Sequence, residues 1–259
     1  PQRKQQANVP GAPYEPPLRT RTYADNYRGI SVTVALGKWL EKVYCNRLDN
    51  FIAAVSPFNN HQDGFRADRG SATQILAVLM LLHSDGPNSL GGFFDIKGAY
   101  PNLRRSSFLR SLYNRGVVGR MMRAVASFFA ETYSRIRVGK HNGPEYEVTN
   151  RLKEGGVLSC LLFLSWICDL MDLVESKGNG ILKGYADDLF SKPYRSGRGQ
   201  VHNMQQINVQ CGGYMYEHQQ RWGWKKTAAV QQCRGQQDRR LQQPIQAQHG
   251  EQREAEQQE

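Results

Sequence analysis

The sequence is poor in cysteine, with five among 259 residues (Cys45, Cys160, Cys168, Cys211 and Cys233), an odd number with no C-x-x-C pair. That argues against a disulfide framework and a zinc ribbon, and it fits a reducing, intracellular setting, nuclear or cytoplasmic and not secreted. Acid is also scarce. Asp plus Glu number 23 against 34 Lys plus Arg, a net charge of +11 with a pI near 9.6, which favours a polyanionic partner such as nucleic acid. Long apolar runs are missing too. The most apolar stretch, Val157 to Cys168, is twelve residues long, contains Ser159 and Ser165, and is followed by Asp169 and Asp172, so it is read as a buried helix and not a membrane span. No charged leader with an apolar centre opens the chain, which begins at Pro1 and is read as a fragment; no internal repeat is visible.

What is present is 39% hydrophobic, enough for a packed core in one large domain or two small ones. Residues 1–26 hold five prolines and no apolar period, and are expected to be extended or disordered. Leu36, Leu40, Val43, Leu48, Phe51 and Ile52 recur at helical spacing and predict a helix from Thr33 to about Ala54, capped by Thr33 or Ser31. A second helix is predicted from Ala72 to His83, with Ile75, Leu76, Leu79 and Leu82 facing a core and Gly86-Pro87 ending it. Leu90 to Phe94 reads as a strand. Helices follow around Phe108 to Leu112, stopped by Gly116, and from Met121 to Thr132. Alternation in Ser134–Val138 and Tyr146–Thr149 predicts a hairpin that turns at Asn142-Gly143-Pro144. The buried helix then runs from Gly155-Gly156 to about Glu175. Beyond Lys192 the pattern is a poor helix interrupted by Gly212-Gly213. Eleven of the 32 residues after Thr227 are Gln and few are large and apolar, so residues 229–259 are expected to be a disordered tail. Strands interleaved with helices and antiparallel hairpins give an α+β class.

The most informative segment is Tyr185-Ala186-Asp187-Asp188, set between the apolar runs Gly180–Gly184 and Leu189–Phe190, which predicts a hairpin turn presenting two adjacent carboxylates. Like charges about 4 Å apart repel by roughly 4 kcal/mol at an effective dielectric near 20, and a bound cation relieves that repulsion. Asp95, at the end of the Leu90–Phe94 strand, is the natural third carboxylate. Three carboxylates from two strand ends can hold a pair of magnesium ions. Taken singly, each feature has a plainer reading: Asp95 as a surface ion-pair acid, Asp187-Asp188 as turn residues, Gly155-Gly156 as a loop, Arg28 or Arg66 as solvated charge.

In combination, these segments resemble a reverse transcriptase, in the style of non-LTR (LINE-type) retrotransposons. Tyr27-Arg28-Gly29-Ile30-Ser31 and Gln62-Asp63-Gly64-Phe65-Arg66 with Arg69-Gly70 resemble the family's fingers motifs. Phe94 to Tyr100 resembles the first palm motif, Gly155-Gly156-Val157-Leu158-Ser159 the second, and Tyr185 to Asp188 the third, over about residues 24–228. The resemblance implies a right-hand polymerase with fingers over 27–90 and, over 91–228, a palm with an antiparallel sheet and interleaved fingers elements. No thumb is recognised after it. The implied activity is RNA-directed DNA polymerisation: a primer 3′-hydroxyl attacks the α-phosphate of a deoxynucleoside triphosphate, and pyrophosphate leaves in line.

The implied partners are an RNA template, a DNA primer and deoxynucleotides, with two magnesium ions, or manganese, held by Asp95, Asp187 and Asp188. Arg28, Lys97, Gly98, Ala99, Tyr100, Glu154 and Gly155 would line the nucleotide, Tyr100 selecting against a ribonucleotide's 2′-hydroxyl. Arg66, Arg69 and Lys226 would contact nucleic acid. The chain departs from the family where Lys153-Glu154 and Cys160 replace the usual Pro-Gln and Pro. Glu154 puts an anion near an incoming triphosphate unless Lys153 or a metal compensates. A decayed remnant that at most binds nucleic acid, and a template-independent nucleotidyl transferase, are the other two readings.

Overall fold

The computed structural model describes residues 30–84, 89–130, 132–148, 151–194, 198–223 and 228–231. The chain divides into Pro1–Ile30 and Ser31–Glu259. Ile30 is the one described residue of the first unit, so the fold below is that of the second; the expected N-terminal segment and most of the Gln-rich tail lie outside the described residues.

A four-stranded antiparallel sheet carries the fold, with β1 (Leu90–Asp95), β4 (Gly180–Tyr185), β5 (Asp188–Pro193) and β6 (Ala228–Gln231) in the order β4-β5-β1-β6. The helices are α1 (Ala35–Val55), α2 (Ser71–Ser84), α3 (Ala99–Asn102), α4 (Arg105–Asn114), α5 (Gly119–Ser127), α6 (Val157–Ser176) and α7 (Arg198–Glu217). Two further strands, β2 (Tyr133–Val138) and β3 (His141–Glu147), pair only with each other. This is the expected α+β arrangement of an antiparallel sheet with flanking helices.

The core forms around α6, whose first three turns are apolar almost all round and are enclosed on nearly every side. Leu158, Leu162, Trp166, Ile167, Leu170 and Val174 are all buried. Among the described residues α6 is the one helix long and apolar enough to cross a membrane, and here it is the centre of the packing. No side chain of its own caps its start; Glu41, buried on α1, accepts a hydrogen bond from the Val157 N–H at 2.8 Å. An anion at that end is doubly favoured, because it satisfies an orphan donor and opposes the helix dipole.

At the other end of α6 lies a buried cation. Arg115, 3% exposed at the C-cap of α4, donates to Asp169 at 2.8 Å, Asp172 at 3.3 Å and the Ser56 carbonyl at 3.3 Å, with Phe58 beneath it. Asp172 also accepts from the Asn59 amide at 2.8 Å, so the loop after α1 is tied to α6 through one carboxylate. Burial pushes the Asp169 carboxyl above its usual range although Ser111 and Arg115 both favour its anion.

Several expectations need correction. α1 begins after Val34 without a side-chain cap, so neither Thr33 nor Ser31 serves. Ile75, Leu76 and Leu79 on α2 are exposed, and the helix buries Gln74 instead, for the reason given below. α7 runs through Gly212-Gly213 unbroken. Packing of Met204, Ile207, Cys211, Tyr214 and Met215 outweighs a glycine cost of about 1 kcal/mol each, and the Tyr214 hydroxyl donates to the Trp166 carbonyl at 2.7 Å. The outer hairpin turns at Gly139-Lys140, not at Asn142-Gly143-Pro144; Gly143-Pro144 falls where the pairing register shifts between Arg135 and Arg137. Finally, the first residues of the expected tail form β6. The open edge of β1 supplies main-chain partners there, so no apolar pattern is needed.

Candidate active site

The register of the sheet brings the acids to one end. Asp95 closes β1, Asp188 opens β5, and the two are directly opposed across the strands. Opposed residues of an antiparallel pair project from the same face with Cβ atoms about 5 Å apart, and like charges so placed destabilise the sheet. Asp187 is the adjoining turn residue between β4 and β5. The strand register therefore places all three carboxylates at one sheet end.

The donor set is all carboxylate oxygen, which suits a hard divalent ion. As the side chains stand, no three His, Cys, Asp or Glu groups among the described residues close on a common point that would chelate a metal. The set fits such an ion in donor chemistry and in strand register without forming a finished cage. Asp95 is braced from behind by the 221–223 segment: the Gly223 N–H donates to its carbonyl at 2.7 Å, and a Cβ at Gly223 would run into its carboxylate.

The segment after Asp95 is a tight turn. Gly98 is left-handed at φ 58°, Ala99 is buried at the start of α3, and Asn102 closes the turn by donating to the Lys97 carbonyl at 2.8 Å. Lys97 is exposed at its mouth. Tyr100 turns inward, stacked on Phe163 at 5.1 Å and edge-on to Phe65 at 6.4 Å. Its hydroxyl has no hydrogen-bond partner of good geometry and lies against the Cys160 thiol. Burial chiefly, then Cys160, Asp187 and Glu154, push that hydroxyl's pKa well above the ordinary tyrosine range. Phe163 and Cys160 of α6 and Phe65 of the loop after α1 thus surround this ring.

Glu154 and Gly155 precede α6, and the Glu154 carbonyl accepts from the Ser31 N–H at 2.7 Å. Lys153 does not neutralise Glu154. It points toward the end of α5, with Nζ 3.5 Å from the Phe128 carbonyl and 5.9 Å from the Phe129 ring centre. Arg66 and Arg69 are engaged locally: Arg66 donates to the Asn59 carbonyl at 2.9 Å, and Arg69 to the Asn60 carbonyl at 2.6 Å and to Asp63 at 2.9 Å. Both order the loop that carries them. Arg28 and Lys226 lie outside the described residues.

Sequence reasoning missed the residues that hold the turn. Ala186 has φ 57°, a left-handed conformation that costs a residue with a Cβ about 1–2 kcal/mol. Facing it is Gln62, fully buried, whose Oε1 accepts from the Ala186 N–H at 2.9 Å and the Gly64 N–H at 2.8 Å while its Nε2 donates to the Ala186 carbonyl at 3.1 Å. The main chain joins in, with Asp63 N–H to Gly184 carbonyl and Gly184 N–H to His61 carbonyl, both 2.9 Å. Gln74 of α2, with its amide oriented to satisfy both neighbours, donates to Asp63 at 2.7 Å and accepts from the Gly184 N–H at 3.0 Å. That contact explains why α2 turns a polar residue inward. Gly64 packs so closely that a Cβ would collide with the Ala186 amide nitrogen. The one sequence signal for this cluster is the compact Gln62-Asp63-Gly64-Phe65-Arg66 string.

Comparison with known proteins accords with this geometry. Residues 15–233 match the family model described as reverse transcriptase (RNA-dependent DNA polymerase). In sequence, no curated protein matches the chain. Among solved structures, an apo telomerase from Candida tropicalis truncated from its C-terminal domain superposes with a TM-score of 0.52 at 12% identity, covering 78% of this chain and 41% of that one. The telomerase of Candida albicans in complex with a fragment of telomeric RNA gives 0.50 at 12% identity, covering 78% and 35%, and a further apo telomerase of Candida tropicalis gives 0.50 at 11%, covering 77% and 37%. The chain spans well under half the length of these telomerases, and at such identities the likeness is one of fold.

Proposed function

Because this chain belongs to the reverse transcriptase (RNA-dependent DNA polymerase) family, we propose that the carboxylate end of its sheet adds deoxynucleotides to a primer 3′-hydroxyl on an RNA template. The observation that carries the proposal is the register that sets Asp95 against Asp188, with Asp187 next in the turn. Carboxylates gathered at one end of a sheet supply the oxygen donors that a phosphoryl-transfer site with divalent ions needs. Enzymes of this family generally use divalent metals. Asp95, Asp187 and Asp188 would hold magnesium, or manganese, which when bound supplies charge neutralisation at the phosphates and a lowered pKa for the attacking hydroxyl.

The chain's own residues do the rest of the positioning. Tyr100, fixed by its stack on Phe163, would lie beneath the sugar and exclude a 2′-hydroxyl. The turn at Lys97, Gly98 and Ala99 would bring main-chain amides and one ammonium toward the triphosphate. Glu154 and Gly155 would border the base and phosphates, and Arg28, by resemblance, would grip the triphosphate. Arg66, Arg69 and Lys226 would steady nucleic acid by its backbone, which adds affinity without reading sequence. The RNA partner agrees with the telomerase neighbour that was captured with RNA. We further read the chain as part of a non-LTR retrotransposon, supported by the Tyr27–Ser31 and Gln62–Arg66 segments, acting inside the cell.

A second reading has its own observation. Lys153 is engaged at the end of α5, so among the described residues it does not offset the Glu154 anion bordering the nucleotide position, as in a decayed copy that binds nucleic acid without catalysis. Primer extension with magnesium on an RNA template, against Asp187→Asn as control, separates the two. Incorporation that follows the template and disappears in the control supports the polymerase. Retained binding with no incorporation establishes the remnant, and incorporation indifferent to template establishes a terminal transferase.

A further inference from the structure

We infer that Gln62 is a positioning residue for the polymerase reaction: its buried carboxamide acts as a clamp that holds the Ala186 peptide, and with it the Asp187-Asp188 carboxylates, in register with Asp95. The inference rests on the reading of those carboxylates as the reaction centre, but the clamp itself rests on geometry alone. A carboxamide has one donor side and one acceptor side, and here both meet the two polar groups of a single residue, 124 positions away in the chain. The Gln62 side chain thereby takes the place of a neighbouring strand. Ala186 needs such support because its φ of 57° disfavours a residue with a Cβ, and an unsupported turn would relax toward a commoner geometry. Relaxation would move Asp187 out of line with Asp95.

The clamp is anchored outside the sheet. Two residues before Gln62 in the same loop lies Asn60, and next to that Asn59, which donates to Asp172; Asp172 is held in turn by buried Arg115. On the other flank Gln74 holds both Asp63 and Gly184. The turn is therefore fixed by the loop after α1, by α2 and by α6 together, and the loop can transmit any displacement of those helices to the carboxylates. A group that positions reacting carboxylates affects the rate of the chemical step and leaves substrate affinity alone, since a displacement of about 1 Å costs on the order of a hundredfold in rate.

The test has an arm that needs no activity. In the unaltered chain, the Ala186 N–H, although it sits in a hairpin turn, should exchange with deuterium as slowly as the paired amides of β5. Gln62→Met keeps the length and removes the three carboxamide hydrogen bonds; it should speed exchange across residues 184–189 at least tenfold while leaving α6 protected. Fast exchange at Ala186 in the unaltered chain, or an unchanged 184–189 segment in a folded Gln62→Met chain, overturns the clamp.

The second arm is single-nucleotide extension. Gln62→Met should lower kcat about tenfold to a hundredfold with the KM for nucleotide and the Kd for template–primer within about twofold. Gln62→Glu keeps the acceptor for the Ala186 and Gly64 amides but sets a second acceptor against the Ala186 carbonyl in a buried site, so it should lower kcat at least as far as Gln62→Met. A KM that rises as kcat is kept refutes the positioning role. If the unaltered chain extends no primer, the polymerase reading fails, and the exchange arm still decides whether the clamp exists.

Discussion

Two hairpins in this chain turn through two residues each, and they are held in opposite ways. The β2–β3 ribbon stands almost wholly exposed and turns at Gly139, whose φ of 60° costs a glycine nothing and around which a Cβ would meet no neighbour. The β4–β5 hairpin is buried along both strands and turns at Ala186, at nearly the same φ of 57°, with a Cβ to accommodate and Gln62, Gly64 and Gln74 gathered around it. One turn is stable through its own residue, the other through its neighbours. The difference shows where the fold has exchanged local ease for placement: strain tolerated at the carboxylate turn and absent from the ribbon marks the first as the place where position matters.

The comparison can be broken most directly at the acids. Asp95→Ala and Asp187→Ala should each lower nucleotide incorporation by at least about a thousandfold while template–primer affinity stays within about twofold, because phosphate affinity comes from Lys and Arg. Lys140→Ala at the tip of the exposed ribbon should leave the rate alone. Single-turnover extension and equilibrium binding read both, and loss of binding in the Asp variants would refute the division of labour.

Next in size, Gly64→Ala should destabilise the fold by about 2–3 kcal/mol in urea unfolding, since its Cβ would overlap the Ala186 backbone. Ala186→Val, which puts a β-branched side chain at a positive φ, should cost about 2 kcal/mol, against about 1 kcal/mol for Gly139→Ala in the open ribbon. Equal costs at the two turns would erase the contrast. Smallest of all, Arg135→Ala removes a half-exposed ion pair to Glu145 at 3.8 Å and should change stability by no more than about 0.5 kcal/mol.

Much of this was legible in the chain's pattern. α6 declared itself by the most apolar stretch of the chain, Val157 to Cys168, and the β4–β5 hairpin by an acid pair between two short apolar runs, because both signals are local. α2 showed its helical period but not its inward face, since Gln74 is chosen by Asp63 and Gly184, which only the tertiary fold brings near. The ribbon was misplaced because Asn142-Gly143-Pro144 has stronger turn chemistry than Gly139-Lys140, and a register shift absorbs those residues instead. Within the site, the carboxylates could be found by sequence order. Gln62 could not, for a glutamine beside Asp63 looks solvated until its partner 124 residues away is known.

The placement of β1 has a consequence for how the protein is made. Both of its flanking strands come from much later in the chain, residues 188–193 on one side and 228–231 on the other. During translation at about 5–20 residues per second, its main chain therefore waits on the order of ten seconds or more for its hydrogen-bonding neighbours. Closing such long loops is slow, and an unpaired strand meanwhile invites pairing with other nascent chains. Charge on such a strand disfavours that pairing, and the one acid β1 carries is Asp95, at its tip.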